Sequence, residues 1–123
     1  MESIREKPDM TDLCSDDLFD AALRLLLLER SIVVTFDPES TVRIKLPITR
    51  RMAEFLGIPH YLVLRSFARM EEEELVTKAE RAGIVTTQTG SRKMIGLMRD
   101  KYRKETEGIL GSVIFEELVK RST

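Results

Sequence analysis

The sequence has few of the residues that build disulfides, zinc sites and membrane spans. Cys14 is the only cysteine among the 123 residues, so an internal disulfide is impossible and a reducing, cytoplasmic compartment is expected. A single histidine beside that cysteine does not supply the ligands of a usual protein-only zinc site. The longest apolar run, Leu25 to Leu28, falls far short of the roughly 18 residues that a membrane span needs. The first residues also lack the basic-then-apolar order of a secretory signal.

The arrangements that catalysis requires are missing as well. The sequence contains no Ser-His-Asp order, no phosphate-cradling glycine loop and no paired metal ligands. Four consecutive acids, Glu71 to Glu74, point in different directions on a helix and cannot converge on one ion, so we interpret them as a solvated face. We therefore expect no enzymatic activity, no metal and no cofactor. The sequence does not identify a small-molecule effector.

The composition is that of one well-solvated globular domain, with 42% hydrophobic and 33% charged residues. The net charge is only −1, but the charges are segregated along the chain. Residues 41–70 carry six bases against one acid, and residues 81–104 carry seven bases against one acid. A surface that faces phosphate needs this segregation whatever the total charge. The second interpretation is that the charge blocks only solvate helix faces.

The segment from Leu46 to Val76 predicts two short helices joined by a tight turn. Gly57 suits a left-handed helix end, and Pro59 suits the first turn of the next helix. The small Ala53 lets the two helices approach closely, as in a helix-turn-helix. Apolar spacing places these residues on the core sides of the two helices: Ile48, Met52, Ala53 and Leu56, then Leu62, Val63, Ser66, Phe67 and Met70.

The flanking segments complete a fold pattern. A helix over about 16–30, with Ser15 as its cap, precedes strands at Ile32–Phe36 and Val42–Leu46 around a turn at Asp37–Ser40. Strands at Leu75–Ala79 and Ile84–Gln88 form a second hairpin, placed as a wing. A helix capped by Thr89 or Ser91 follows, and its continuation to Arg121 is broken or kinked at Gly108 and Gly111.

The predicted fold class is α+β, a winged helix-turn-helix in the order helix, hairpin, helix-turn-helix, wing hairpin, C-terminal helical segment. We predict a flexible tail over residues 1–14, a winged-helix DNA-binding domain over 15–90, and a C-terminal helical segment over 91–123 that serves dimerisation.

Residues 18 to 90 resemble the C-terminal DNA-binding domain of the catabolite-activator and Fnr family. The resemblance rests on three phrases: Leu46-Pro47-Ile48-Thr49-Arg50, Ala53-Glu54-Phe55-Leu56-Gly57 and Met70-Glu71-Glu72-Glu73-Glu74-Leu75. It implies a transcriptional regulator that binds double-stranded DNA. The family's cyclic-nucleotide-binding domain does not precede these residues, so no nucleotide effector is expected.

The chain departs from the family at two points. Glu74 stands where the family has glycine, and His60-Tyr61 replace the Arg-Glu pair that opens its recognition helix. Of the family's base-reading residues only Arg65 is matched by position. The family's target sequence therefore does not transfer to this chain.

Arg65 is the leading candidate for reading a base, because a guanidinium can donate to both major-groove acceptors of guanine. Its alternative is a surface salt bridge. His60 and Tyr61, at the start of the same helix, are candidates for base contact or for packing between the helices. Candidates for phosphate contact, each with a solvated face or a helix cap as the alternative, are Thr49, Arg50, Arg51, Arg69, Arg81, Arg92 and Lys93.

The final segment is apolar enough to require a partner surface. The residues expected to supply it are Met98, Tyr102, Val113, Phe115 and Leu118. The segment either docks on the first helix of the same chain or packs on a second chain, as in regulators that read two half-sites about one helical turn apart. The leading hypothesis is a homodimeric DNA-binding regulator. The alternative is a winged-helix protein-interaction module without DNA contact.

Overall fold

The computed structural model describes residues 14–36 and 41–121. Within them the chain is α+β, with six helices and two antiparallel hairpins. The predicted tail before Cys14 and the predicted turn at 37–40 lie outside the described residues. In chain order the elements are α1 (Ser15–Leu28), β1 (Val34–Phe36), β2 (Val42–Ile44), α2 (Thr49–Leu56), α3 (His60–Glu72), β3 (Val76–Ala79), β4 (Gly83–Thr86), α4 (Gln88–Asp100), α5 (Arg103–Leu110) and α6 (Ser112–Arg121).

The core is built around α1, which buries seven of its residues. Asp16 and Asp17 lie in its first turn, where carboxylates interact favourably with the helix dipole. The predicted cap at Ser15 is wrong: Cys14 occupies that position without a side-chain cap, and the Ser15 hydroxyl donates to Glu73 at 2.7 Å. Ser15 therefore ties the start of α1 to the end of α3.

The two hairpins lie side by side. In the first, Val34 pairs with Ile44, and in the second, Val76 pairs with Thr86. The Leu46 amide donates to the Ile84 carbonyl at 2.9 Å, which joins the end of the first hairpin to β4. Because α2 begins three residues after Leu46, this bond holds the start of α2 beside the second hairpin.

The turn between α2 and α3 has the predicted geometry at Gly57. Its φ of 68° is left-handed, and its amide donates to the Ala53 carbonyl at 2.9 Å. Pro59 directly precedes α3 as its N-cap instead of lying in the first turn. The five residues buried on α3 are the five that the spacing predicts. On α2 the prediction fails at Ile48, which precedes the helix and is exposed.

Buried hydroxyl groups connect α4 to both hairpins. Thr87 caps α4 by accepting from the Gly90 amide at 3.2 Å, so the predicted caps Thr89 and Ser91 are wrong. Ser91 lies inside the helix, where its hydroxyl donates to the Val42 carbonyl and contacts the Thr86 hydroxyl at 2.6 Å. Thr86 in turn accepts from the Ile44 amide at 2.9 Å.

The C-terminal segment, predicted as a helix broken or kinked at Gly108 and Gly111, forms three helices. Gly111, with a φ of 85°, ends α5 as predicted, whereas Gly108 lies within α5 and breaks nothing. A further break falls at Lys101 and Tyr102. There the Tyr102 hydroxyl donates to the Asp20 carboxylate of α1 at 2.8 Å.

The burial of this segment corrects the predicted dimerisation surface. The side chains of Met98, Phe115 and Leu118 are fully buried in the core of their own chain, so they are not available to a partner. Tyr102 is half-buried against α1. Only Val113 of the predicted set stays open, with 80% of its surface exposed. None of the helices in the described ranges has the length and apolarity needed to cross a bilayer.

Candidate nucleic-acid interface

The outward side of α3 carries a stripe of four exposed residues: Tyr61, Leu64, Arg65 and Ala68. They follow one another at the i, i+3, i+4 and i+7 spacing of a single helix face. Tyr61 is 61% exposed and Leu64 is 48% exposed, while the opposite side of the helix is buried in the core. We call these four residues the α3 stripe. Its only charge is that of Arg65.

The Arg65 guanidinium has no ion pair with any residue in the part of the chain that the structure describes. The salt bridge considered as its alternative role is therefore not formed with those residues.

Arg51, on α2, differs from Arg65 in that it forms ion pairs. It donates to the carboxylates of Glu29 and Glu54, and the hydrogen bond to Glu29 is the larger cause of the raised pKa of Arg51. Arg51 is thus occupied by two acids, which weakens its assignment as a phosphate contact.

Thr49 and His60 meet where α2 and α3 begin. The Thr49 hydroxyl lies 2.7 Å from Nε2 of His60, within hydrogen-bonding distance. His60 is half-buried in this contact, so it braces the two helix starts and is a weaker candidate for base contact than Tyr61. Thr49 lies inside α2 and makes no capping bond, so its alternative role as a helix cap is wrong.

A groove of about 100 Å³ runs between α3 and the second hairpin. Its apolar lining comes from Leu64, Phe67, Ala68, Val76 and Ile84. Its polar lining comes from Thr49, Glu71, Thr77 and Lys78. The groove therefore brings the start of α2, Leu64 and Ala68 of the α3 stripe, and the second hairpin to one surface.

Two of the predicted phosphate contacts suit this surface. Arg50 follows Thr49 and is exposed. Arg81 is exposed in the turn between β3 and β4. Arg69, one turn after Arg65 on α3, is half-buried and already engaged with another group. Glu71 and Glu72 lie in the last turn of α3 and Glu73 and Glu74 follow it. All four are exposed, as predicted for a solvated face, and Glu71 also lines the groove.

The second basic block of the sequence does not gather at this groove. Lys93 pairs with Asp16 at 3.3 Å, Lys101 with Asp20 at 2.9 Å, and Arg99 with Asp100 at 2.9 Å. Arg92 is exposed on α4 and does not line the groove. Lys93 lies instead among Cys14, Asp16 and Glu73, an acidic setting unsuited to phosphate. This ion pair and its acidic surroundings weaken the assignment of Lys93 as a phosphate contact.

Leu64 and Lys78 of this surface were not among the predicted site residues. Leu64 was discoverable, because it follows Tyr61 by three residues and falls outside the core stripe of α3. Lys78 had no such signal, since its place beside the groove depends on how the hairpin packs against α3.

Among the described residues, no three histidine, cysteine, aspartate or glutamate side chains come together as metal ligands would. The candidate interface is a surface of α2, α3 and the second hairpin, on which Arg50, Arg65 and Arg81 are exposed. Comparison with protein-family models, with curated proteins and with solved structures finds no match for this chain.

Proposed function

We propose that this chain is a transcriptional regulator of the winged helix-turn-helix type, which binds double-stranded DNA sequence-specifically as a homodimer in the cytoplasm. The observation that carries the proposal is the α3 stripe, on which Arg65 stands exposed with no ion pair among the described residues. The first two turns of this face carry Arg65 as their one charge, and the acids of α3 follow only in its last turn, at Glu71 and Glu72. The regulator needs no cofactor and catalyses no reaction.

In the proposed complex, the first two turns of α3 lie in the major groove. Arg65 donates to O6 and N7 of a guanine, the two acceptors that a guanidinium reaches together. The acidic end of α3 stays outside the groove, because recognition helices contact base edges mainly through their N-terminal residues. Glu71 to Glu74 are therefore compatible with binding through the other end of the helix.

Phosphates are contacted from the two sides of α3. On one side are Arg50, the Thr49 hydroxyl and the amides of the first turn of α2, which point out of the helix N-terminus. On the other side, Lys78 and Arg81 of the second hairpin act as a wing. The bond from Leu46 to Ile84 supports this arrangement, since it fixes the distance between the two sets.

The second candidate function is a winged-helix module that binds a protein. The observation in its favour is the exposed apolar surface of Tyr61 and Leu64, together with four exposed glutamates. Aromatic residues and arginine are enriched in protein interfaces too. The two candidates differ in their response to salt, because only DNA binding releases counterions from a phosphate backbone.

The test is fluorescence anisotropy of a labelled mixed-sequence duplex, titrated with the full chain over a series of salt concentrations. The wild type is compared with Arg65→Ala and with Arg99→Ala, which removes the same charge from α4, where Arg99 pairs with Asp100. We expect binding that weakens steeply with salt. Arg65→Ala should weaken it further, by about tenfold or more on a duplex carrying the preferred site. Arg99→Ala should bind as the wild type does.

No duplex binding at low salt would reject DNA binding in favour of the protein-interaction module. Equal weakening by Arg65→Ala and Arg99→Ala would show that net charge, not the α3 stripe, governs binding.

A further inference from the structure

The α3 stripe is apolar at three of its four positions. Tyr61 and Leu64 flank Arg65 within one helical turn, and both have about half or more of their surface exposed. Large apolar side chains seldom stand together on a solvated helix face, since their burial elsewhere would be favourable. A ligand for this surface must offer apolar contact beside a hydrogen-bond acceptor.

The major groove of DNA offers apolar contact beside a hydrogen-bond acceptor in one way. Guanine presents two acceptors, and thymine presents the only methyl group among the four bases. Arg65 fits the acceptors, and the neighbouring apolar side chains fit a methyl group one or two base pairs away. A groove of guanine and cytosine alone would leave Leu64 against polar base edges with nothing apolar to bury.

We propose that Leu64, supported by Tyr61, reads the C5-methyl group of a thymine adjacent to the guanine read by Arg65. This inference rests on the proposed DNA binding and defines its target: a site in which guanine and thymine are neighbours. Leu64 and Ala68 both line the protein groove between α3 and the second hairpin, and the methyl side chain of Ala68 leaves room for the base edge. Leu64 is then a specificity-determining residue, and its energy comes from methyl burial instead of hydrogen bonding.

The experiment first selects duplexes from a randomised pool with the full wild-type chain. The enriched duplex is then synthesised with each thymine replaced singly by deoxyuridine, which keeps the base pair and removes only the methyl group. Affinities are measured for the wild type, for Leu64→Ala and for Leu28→Ala, which truncates an exposed leucine at the end of α1. Circular dichroism verifies that each variant is folded.

We expect one deoxyuridine position to weaken wild-type binding by about threefold to tenfold, the effect of losing one buried methyl contact. At that position Leu64→Ala should bind the thymine and deoxyuridine duplexes equally, whereas Leu28→Ala should retain the wild-type difference. If an enriched duplex depends on Arg65 but no deoxyuridine position changes its affinity, the inference is wrong and the proposed function stands. If the pool yields no enriched duplex and no salt-dependent binding is measured, both are wrong.

Discussion

Glu74 adopts a left-handed backbone conformation, with a φ of 61°, immediately after α3. The turn is needed because the Leu75 amide folds back to donate to the Met70 carbonyl at 2.9 Å. A side chain with a Cβ costs roughly 1–2 kcal/mol in this conformation, and glycine avoids the cost. Glu74, which stands where the family that the sequence resembles has glycine, therefore introduces local backbone strain that the rest of the fold tolerates.

Glu74→Gly should raise the free energy of unfolding by about 1 kcal/mol, because it removes the strained Cβ. Equilibrium urea denaturation measures the change. Glu74→Ala is the matched control, since it removes the same charge and keeps the Cβ. If the alanine variant gains as much stability as the glycine variant, charge repulsion among the glutamates is the cause and the strain argument is wrong.

Single residues could be predicted from sequence where their chemistry alone decides the conformation. Gly57 is one such residue, because glycine adopts the left-handed region without cost. The capping residues could not be predicted in this way. Ser15, Thr89 and Ser91 all have suitable hydroxyls, yet Ser15 and Ser91 donate across the fold and Thr87 caps α4. Their partners are 49 and 58 residues away, beyond the reach of local pattern.

Between elements, α4 approaches the backbone of Leu75 closely at Gly90. A Cβ added at Gly90 would lie 2.0 Å from the Leu75 carbonyl oxygen, a distance at which backbone must move. Gly90 also supplies the amide that Thr87 caps. A shift at this point would disturb the buried contact between Ser91 and Thr86.

Gly90→Ala should lower the free energy of unfolding by about 1–3 kcal/mol, the range for overpacking a close contact. Gly96→Ala is the control on the same helix, because its Cβ would meet only the end of the Arg99 side chain at 4.0 Å. That variant should be as stable as the wild type or more stable by up to about 1 kcal/mol, from the higher helix propensity of alanine. A Gly90→Ala variant of wild-type stability would contradict the close approach.

Asp20 joins α1 to the break between α4 and α5. It accepts from Tyr102 at 2.8 Å, from Lys101 at 2.9 Å and from Arg24 at 3.1 Å. Burial alone would raise the pKa of Asp20, but the hydrogen bonds from Lys101 and Tyr102, the charge of Lys101 and the bond from Arg24 outweigh it, so the pKa is lowered. The ionised form is therefore the one that the fold stabilises.

Because the folded-state pKa of Asp20 lies below its unfolded value, its contribution is complete above about pH 4 and is lost as the pH falls through the folded value. Asp20→Asn should lower the free energy of unfolding by about 1–2 kcal/mol at neutral pH and should flatten the acid side of the stability profile. Urea denaturation across the acid range measures both. Asp100→Asn, which loses only an exposed pair with Arg99, should change neither. Equal effects of the two substitutions would argue against the Asp20 junction.

The elements themselves were predictable to different degrees. The α2 and α3 segments have clear apolar periodicity, so the presence of two helices and the buried side of α3 agree with the prediction. The break at Lys101 and Tyr102 contains no glycine or proline. It is set by contacts with Asp20, which lies 81 and 82 residues earlier in the chain. The same distinction applies to the candidate site. The exposed position of Arg65 could be predicted from the apolar periodicity of α3, whereas the position of Lys78 depends on how the second hairpin packs against α3.

At the scale of the whole molecule, folding redistributes the charge blocks of the sequence. Lys93 and Lys101 pair with acids of α1, and Arg99 pairs with Asp100 of its own helix. These bases therefore do not gather at the groove beside α3, which Lys78 and Glu71 line. The apolar residues of the C-terminal segment are divided in a similar way. Phe115 and Leu118 complete the core, and Val113 and Ile114 stay exposed.

On α6, the residues that stabilise the fold therefore differ from the exposed residues available for the proposed dimer contact. Val113→Asp places a charge where 80% of the side chain is exposed, so stability should be unchanged while a dimer through this face is lost. Phe115→Ala removes a fully buried ring and should lower the free energy of unfolding by about 3–5 kcal/mol. Light scattering over a concentration series gives the mass, and urea denaturation gives the stability. If Val113→Asp is still a dimer, the interface lies elsewhere. If the wild type is a monomer at every concentration, the proposed homodimer is wrong, since half-site reading by two chains needs this contact.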